Sequence, residues 1–189
     1  MGFDKQCIKI GANLLIEEQL KMLRPIFKEI IIVTNKPAYY QHLNCILTTD
    51  ALKDFGPLGG IHAGLKAANC ESCYFIACDM PNINPDYIMY MSDIMNRSNS
   101  YQAVVTRFGN WLEPFNAFYG KSLLTDIEHA YREHQIKISD LLAKVQTCYI
   151  EETVARSFSP DWSMFDNINT QEDLKVLEKK CSKIVKNNI

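Results

Sequence analysis

The stretch that most constrains this chain is Tyr74-Phe75-Ile76-Ala77-Cys78-Asp79-Met80-Pro81, an apolar run stopped by a carboxylate and then by a proline. Aromatic and β-branched residues suit a pleated, buried surface, and a run apolar on both faces suits a parallel strand covered by helices. Pro81 has no N–H to give to a ladder, so the strand must end before it. Asp79 is therefore expected at the carboxyl end of a buried strand. In open α/β sheets ligands bind in the crevice at that end. A carboxylate there can hold Mg²⁺, and Mg²⁺ can hold the phosphates of a nucleotide. Equally, an aspartate ahead of a helix can act as its N-cap and need no metal.

Periodicity on either side of this stretch alternates between short β-rich runs and helical stripes. Strands are expected at Cys7–Ile10, Glu29–Asn35, Cys45–Asp50, Gln102–Arg107, around Pro114–Tyr119 and at Thr147–Glu151. Helices are expected at Leu14–Ile26, briefly at Pro37–His42, at Ile61–Ala68, after Asn84-Pro85-Asp86, at Leu123–Arg132 and at Ile138–Leu142. Thr170 with Asp173 three residues on reads as a capping-box variant opening a last helix. This order predicts an α/β fold in three layers around a mostly parallel sheet. A chain of 189 residues fits a single domain over residues 1–189.

Between the second of these strands and its helix lies Lys53-Asp54-Phe55-Gly56-Pro57-Leu58-Gly59-Gly60-Ile61. So many glycines beside a proline predict a tight loop where backbone can approach a ligand closely. The free N–H groups of the following helix would point back into it. The run matches neither the dinucleotide nor the phosphate-loop pattern, and an ordinary strand-to-helix turn accounts for it equally well.

A formal net charge of −2 gives no electrostatic case for nucleic acid or an acidic membrane. No apolar run approaches the roughly 20 residues of a membrane span, and the N-terminus lacks the apolar core of a signal peptide. The seven cysteines are odd in number and scattered, which predicts reduced thiols and a cytoplasmic location. Cys70 and Cys73 form a lone pair without the further ligands a zinc site needs. His42, His62, His129 and His134 show no ligand spacing and are expected at the surface.

Taken together and in order, these motifs resemble one family. Met1-Gly2-Phe3-Asp4-Lys5 is similar to the tail of its signature loop, in which a Gly-rich run ends in Arg-Met-Gly before an Asp-Lys. Asp50, Gly56-Pro57-Leu58-Gly59-Gly60, Cys78-Asp79-Met80-Pro81, Glu113-Pro114 and Asn167-Ile168-Asn169-Thr170 follow in the family's order. The pattern resembles the molybdenum cofactor guanylyltransferases, a branch of the nucleotidyltransferases with a Rossmann-like fold. The resemblance implies transfer of GMP from GTP to molybdopterin with release of pyrophosphate and with Mg²⁺ as cofactor. It implies that Asp79 holds the metal, that Lys5 neutralises GTP phosphates, and that Asp50 with Gly56, Pro57 and Leu58 reads the guanine. Asn167 and Asn169 would lie on the molybdopterin side. Implied partners are GTP, molybdopterin, other cofactor-biosynthesis proteins and acceptor molybdoenzymes.

The residue types suit that chemistry, because phosphoryl transfer is mostly positioning and charge stabilisation. Each has a plainer alternative: a solvated terminal lysine for Lys5, a turn cap for Asp50, loop asparagines that tolerate left-handed backbone for Asn167 and Asn169. Related nucleotidyltransferases acting with CTP or on sugar phosphates remain alternatives, as does a non-catalytic nucleotide-binding homologue. The family's cytidine branch usually has Asp-Gln-Pro where this chain has Asp79-Met80-Pro81, which favours guanine.

The chain departs from the family at its start, lacking the first strand and most of the Gly-rich loop. Burying one large aliphatic side chain contributes ~1.5–3 kcal/mol. Four or five lost from a central strand amount to roughly 6–15 kcal/mol, as large as the whole stability of a typical domain. The expectation is therefore an N-terminally truncated domain.

Overall fold

A computed structural model describes residues 8–10, 13–97, 100–170, 172–175 and 177. The chain runs β1 (Lys9–Ile10), β2 (Asn13–Leu14), α1 (Leu15–Leu23), β3 (Ile31–Val33), β4 (Ile46–Thr48), α2 (Gly56–Ala67), β5 (Ser72–Phe75) and α3 (Pro85–Arg97). It continues with β6 (Ala103–Phe108), β7 (Trp111–Gly120), α4 (Leu124–Arg132), α5 (Ile138–Leu142), β8 (Thr147–Glu151) and α6 (Glu152–Phe158). Beyond α6, residues 172–175 and 177 are helical, and Asp173 caps that start by accepting from the Asn169 and Thr170 N–H groups.

Alternation along the strands builds the three layers. Ala103 and Val105 of β6, with Ala117 and Tyr119 of β7, pack against Ile61 and Leu65 of α2, Ile127 of α4 and the leucines of α5. Val104, Phe118 and Ile150 face the other way, onto Tyr87, Ile88 and Met91 of α3 and Ala155 of α6. The larger sheet has the order β5-β7-β6-β8. β6 and β8 run parallel, as do β3 and β4. β7 runs antiparallel to β5, and also to β6, to which only the turn at Gly109 and Asn110 joins it; Gly109 supplies the positive φ of 54° that such a turn requires.

Several boundaries differ from the sequence expectation. The Gly-rich run is the first turn of α2 and not a loop: Pro57 needs no N–H there and its fixed φ suits a helix start. The β5 ladder ends at Phe75 and not at Cys78, because its partner β7 turns left-handed at Asn116 (φ 56°), next to the paired Ala117. α6 was hidden by Glu151-Glu152, which reads as a solvated edge. In the fold Glu152 opens that helix and pairs with Arg156 at 2.5 Å, while Glu151 pairs with Arg107. His62 is buried, contrary to a surface position, because it lies on the α2 face that meets α4, where Nε2 is 3.2 Å from Glu128.

Among the described residues β3 pairs only with β4, and β5 only with β7. Between the free edges of β3 and β5 lies an open groove of about 420 Å³. Its walls are mostly apolar, with Leu20 and Leu23 of α1, Ile31 and Val33 of β3, and Tyr74 and Phe75 of β5. α2 lies against this groove at Gly64, where an added Cβ would come within 2.7 Å of the Phe75 ring.

Candidate active site

Asp79 follows β5 in a turn and is only 8% exposed. The turn is held from two sides. Gln19, buried on α1, donates its side-chain amide to the carbonyls of Ala77 (2.9 Å) and Met80 (2.8 Å). The backbone N–H of Ile168 donates to the Asp79 carbonyl at 2.8 Å. Asp79 is not the cap of α3: Asn84 takes that place, accepting the Tyr87 N–H at 3.0 Å. Its carboxylate is thus not committed to helix capping.

The bond from Ile168 carries Asn167 and Asn169 to this point. Both asparagines are exposed, flanking the buried Ile168. Asn167 also borders a recess of about 250 Å³ lined by Thr106, Phe108, Trp111, Glu113, Trp162 and Phe165. Burial pushes the Glu113 carboxyl up to about 7, and the nearby negative charge of Asp79 adds to the rise. Hydrogen bonds from the Phe115 N–H and from Trp111 hold it back only in part. Neither Glu113 nor the aromatics stood out in the sequence as site residues. The Glu113-Pro114 pair was the one available signal, since nothing in the spacing brings Trp111 to Trp162.

Asp50, beyond β4, accepts the Leu52 N–H at 2.9 Å and so does cap a turn. It also lies against α2: a Cβ on Gly59 would collide with the Asp50 carboxylate, its Cγ only 2.8 Å away. Gly56 and Pro57 are exposed at the start of α2, where the first backbone N–H groups lack helical partners. The Leu58 side chain is fully buried in the core with Ile61 and Leu65, which leaves only its backbone for a ligand. Lys5 and the rest of Met1–Lys5 lie outside the described residues.

Among the described residues no group of three or more His, Cys, Asp or Glu could hold a metal by itself. The chemistry at Asp79 fits Mg²⁺ nonetheless. One carboxylate, with the Glu113 charge near it, leaves most of the shell of a hard cation to water and substrate phosphate oxygens. Cys70 and Cys73 lie apart from this region, with their sulfurs 3.5 Å from each other.

An α/β fold with a buried carboxylate just beyond β5 and a helix start rich in glycine fits the nucleotidyltransferase class. The chain belongs to the family of the MobA-like NTP transferase domain, whose profile matches residues 1–148. It is 50% identical to the "Probable molybdenum cofactor guanylyltransferase" of Peptoclostridium acidaminophilum, over 93% of this chain and 81% of that protein. It is 45% identical to the "Molybdenum cofactor guanylyltransferase" of Syntrophotalea carbinolica, over 93% of this chain and 83% of that protein. The fold is similar to the molybdopterin-guanine dinucleotide biosynthesis protein A of Archaeoglobus fulgidus, with a TM-score of 0.81 at 28% identity, covering 96% of this chain and 92% of that one.

Proposed function

We propose that this protein transfers GMP from GTP to molybdopterin and releases pyrophosphate. An oxygen of the molybdopterin terminal phosphate attacks the α-phosphorus of GTP. The bond from that phosphorus to the bridging oxygen breaks, and pyrophosphate leaves with the electron pair. Asp79 would hold Mg²⁺, whose charge stabilises the phosphates as the bond order shifts. Lys5 contributes a positive charge to the phosphates. Asp50 accepts from the guanine ring N–H and amino group, while the free amides at Gly56 and Leu58 and the surface of Pro57 line the base. Asn167 and Asn169 bind the acceptor with donors and acceptors that add no charge beside an anion.

The observation that carries this reading is the 2.8 Å bond from the Ile168 N–H to the Asp79 carbonyl, because it fixes the residue that would hold the metal against the loop of Asn167 and Asn169. The test is pyrophosphate release from GTP, Mg²⁺ and molybdopterin, with Asp79→Ala as the variant. Turnover should vanish in the variant while the melting temperature holds. A wild-type rate in Asp79→Ala removes Asp79 from the mechanism, and a preference for CTP over GTP in the wild type would move the protein to the cytidine branch.

The groove between β3 and β5 supports a second part of the reading, that the domain is completed by one further strand. Two strand edges unpaired among the described residues, with apolar walls, fit an extended backbone, which can satisfy both rows of N–H and C=O groups.

A further inference from the structure

The recess beside Asn167 is built mainly from aromatic rings. Phe108 and Trp111 pair across the tip of the β6–β7 hairpin and are 44% and 68% exposed. Trp162 faces them from the loop after α6, its ring centroid 5.5 Å from that of Phe108 and 4.6 Å from that of Phe165. The Trp162 backbone is left-handed (φ 64°), and bonds from its N–H to Ser159 (2.9 Å) and from the Phe165 N–H to its own carbonyl (3.0 Å) hold it there. The Arg156 guanidinium sits 4.8 Å from the Trp162 ring, and Glu152 holds that guanidinium in turn. Trp162 is thus a fixed wall.

Trp111 is the opposite case. It is more exposed than any other large apolar side chain of the described residues, and burial in this chain gives the fold little reason to keep it. Flat rings around a recess, with a carboxyl and an amide on the rim, suit a planar heterocycle with hydrogen-bonding edges. The carboxyl is Glu113, which already has N–H donors from Phe115 and Trp111 on it and keeps further acceptor capacity.

Two ligands of the proposed reaction carry the same donor edge. Guanine and the pterin of molybdopterin both present a ring N–H beside an exocyclic amino group, and a carboxylate can accept from both at once. Position separates them. The recess includes Asn167, in the loop that the proposed function gives to the acceptor, and holds neither Asp50 nor the α2 start. We infer that this recess takes the pterin ring of the acceptor, stacked between the Phe108–Trp111 hairpin tip and Trp162, with Glu113 accepting from the amino-pyrimidinone edge. Glu113 is then a specificity residue for the acceptor, and the inference rests on the proposed guanylyl transfer.

The chain's two tryptophans, Trp111 and Trp162, both line this recess, so its intrinsic fluorescence reports on the recess directly. The probe is pterin-6-carboxylate, titrated against the full chain, with GTP and Mg²⁺ as the parallel titration. Pterin should quench the emission. Trp111→Ala should weaken pterin binding about tenfold, the scale expected for losing one ring stack, and Glu113→Gln about tenfold through loss of a charged acceptor, with GTP affinity unchanged in both. Trp111→Phe should restore most of it, since a phenyl ring keeps the stacking surface. In turnover, the KM for molybdopterin should rise in the two weakened variants and the KM for GTP should not.

If GTP affinity falls instead, the recess is the guanine site and the assignment is overturned. If neither ligand responds to either variant, the aromatic surface serves some other contact and the assignment is likewise overturned. Exposure of Trp111 makes misfolding of its variants a poor explanation for lost binding, and melting curves check this. Failure of the wild type to release pyrophosphate with GTP and molybdopterin counts against the proposed function itself. Normal wild-type turnover with an unmoved acceptor KM in both variants counts against the pterin recess alone.

Discussion

Ile168 and Asp79, 89 positions apart in sequence, are joined through the main chain by an N–H···O=C bond of 2.8 Å. The bond uses the main-chain carbonyl of Asp79 and not its carboxylate, so it fixes the backbone of the turn. On its other side the same turn is fixed by Gln19, whose amide bridges the carbonyls of Ala77 and Met80. The Asp79 turn is therefore positioned by groups from α1 and from the Asn167–Asn169 loop, and small movements of either would move it.

Gln19 carries the first prediction. Gln19→Leu keeps volume and burial but removes both donors. An unsatisfied buried carbonyl costs about 1–3 kcal/mol, so the variant should unfold at lower denaturant by an amount in that range. Turnover should fall further than stability explains, because the Asp79 turn loosens; misplacement by about 1 Å can cost on the order of a hundredfold in rate. Equilibrium unfolding and pyrophosphate release measured on one preparation decide it. Normal turnover in a destabilised variant would show that the turn holds Asp79 without Gln19.

A second prediction concerns Gly59. Gly59→Ala places a methyl group against the Asp50 carboxylate, which must swing away from α2. The bond from Leu52 to Asp50 then breaks or stretches. The expected loss of stability is about 1–3 kcal/mol, as for overpacking elsewhere. If Asp50 reads guanine, the KM for GTP should rise while discrimination against other nucleoside triphosphates weakens. A variant that is destabilised yet retains full selectivity for GTP would confine Asp50 to the turn.

How much of this was legible beforehand depends on the range of the interactions. Asp79 was placed by a local signal, an apolar run ending in carboxylate and proline. The α5 and β8 boundaries were read as they stand, since short, strongly patterned elements carry their own ends. The start of α2 was misread because Gly59 and Gly60 look like loop residues. Only the approach of Asp50, nine positions earlier, explains a glycine inside that helix at position 59. Gln19 and Trp162 could not be found at all by spacing, and Glu113 showed only as half of the Glu113-Pro114 pair. Their roles exist only once α1, the loop after α6 and β7 converge on the turn after β5.

Glu113 supplies the pH dependence. Its carboxyl rises from an ordinary 4.5 to about 7 in the folded chain, chiefly through burial. A folded-state pKa above the unfolded one contributes stability that is fully present below pH ~4.5 and is lost as pH rises through about 7. Glu113→Gln cannot ionise and escapes that loss. The variant should match the wild type near pH 4.5 and exceed it above pH 7 by up to about 3 kcal/mol, at 1.36 kcal/mol per unit. Denaturant unfolding at both pH values, without divalent metal, measures this. Parallel pH profiles for the two proteins would mean that Glu113 stays ionised and solvated.

The groove between β3 and β5 gives the last prediction. In the 189-residue chain the free edge of each strand leaves backbone amides without ladder partners among the described residues. Amides of Ile31–Val33 and Ser72–Phe75 that face the groove should exchange with solvent quickly, and those facing β4 or β7 slowly. A chain with an apolar β-strand peptide bound in the groove should protect both sets. It should also melt higher, by on the order of 10 °C or more, if a strand burying four or five aliphatic side chains enters the groove. The effect must appear on both edges together, because a single strand in this groove bonds to β3 on one side and to β5 on the other. Protection of one edge alone would mean that the added peptide packs elsewhere, and unchanged exchange at both would leave the groove as an open surface.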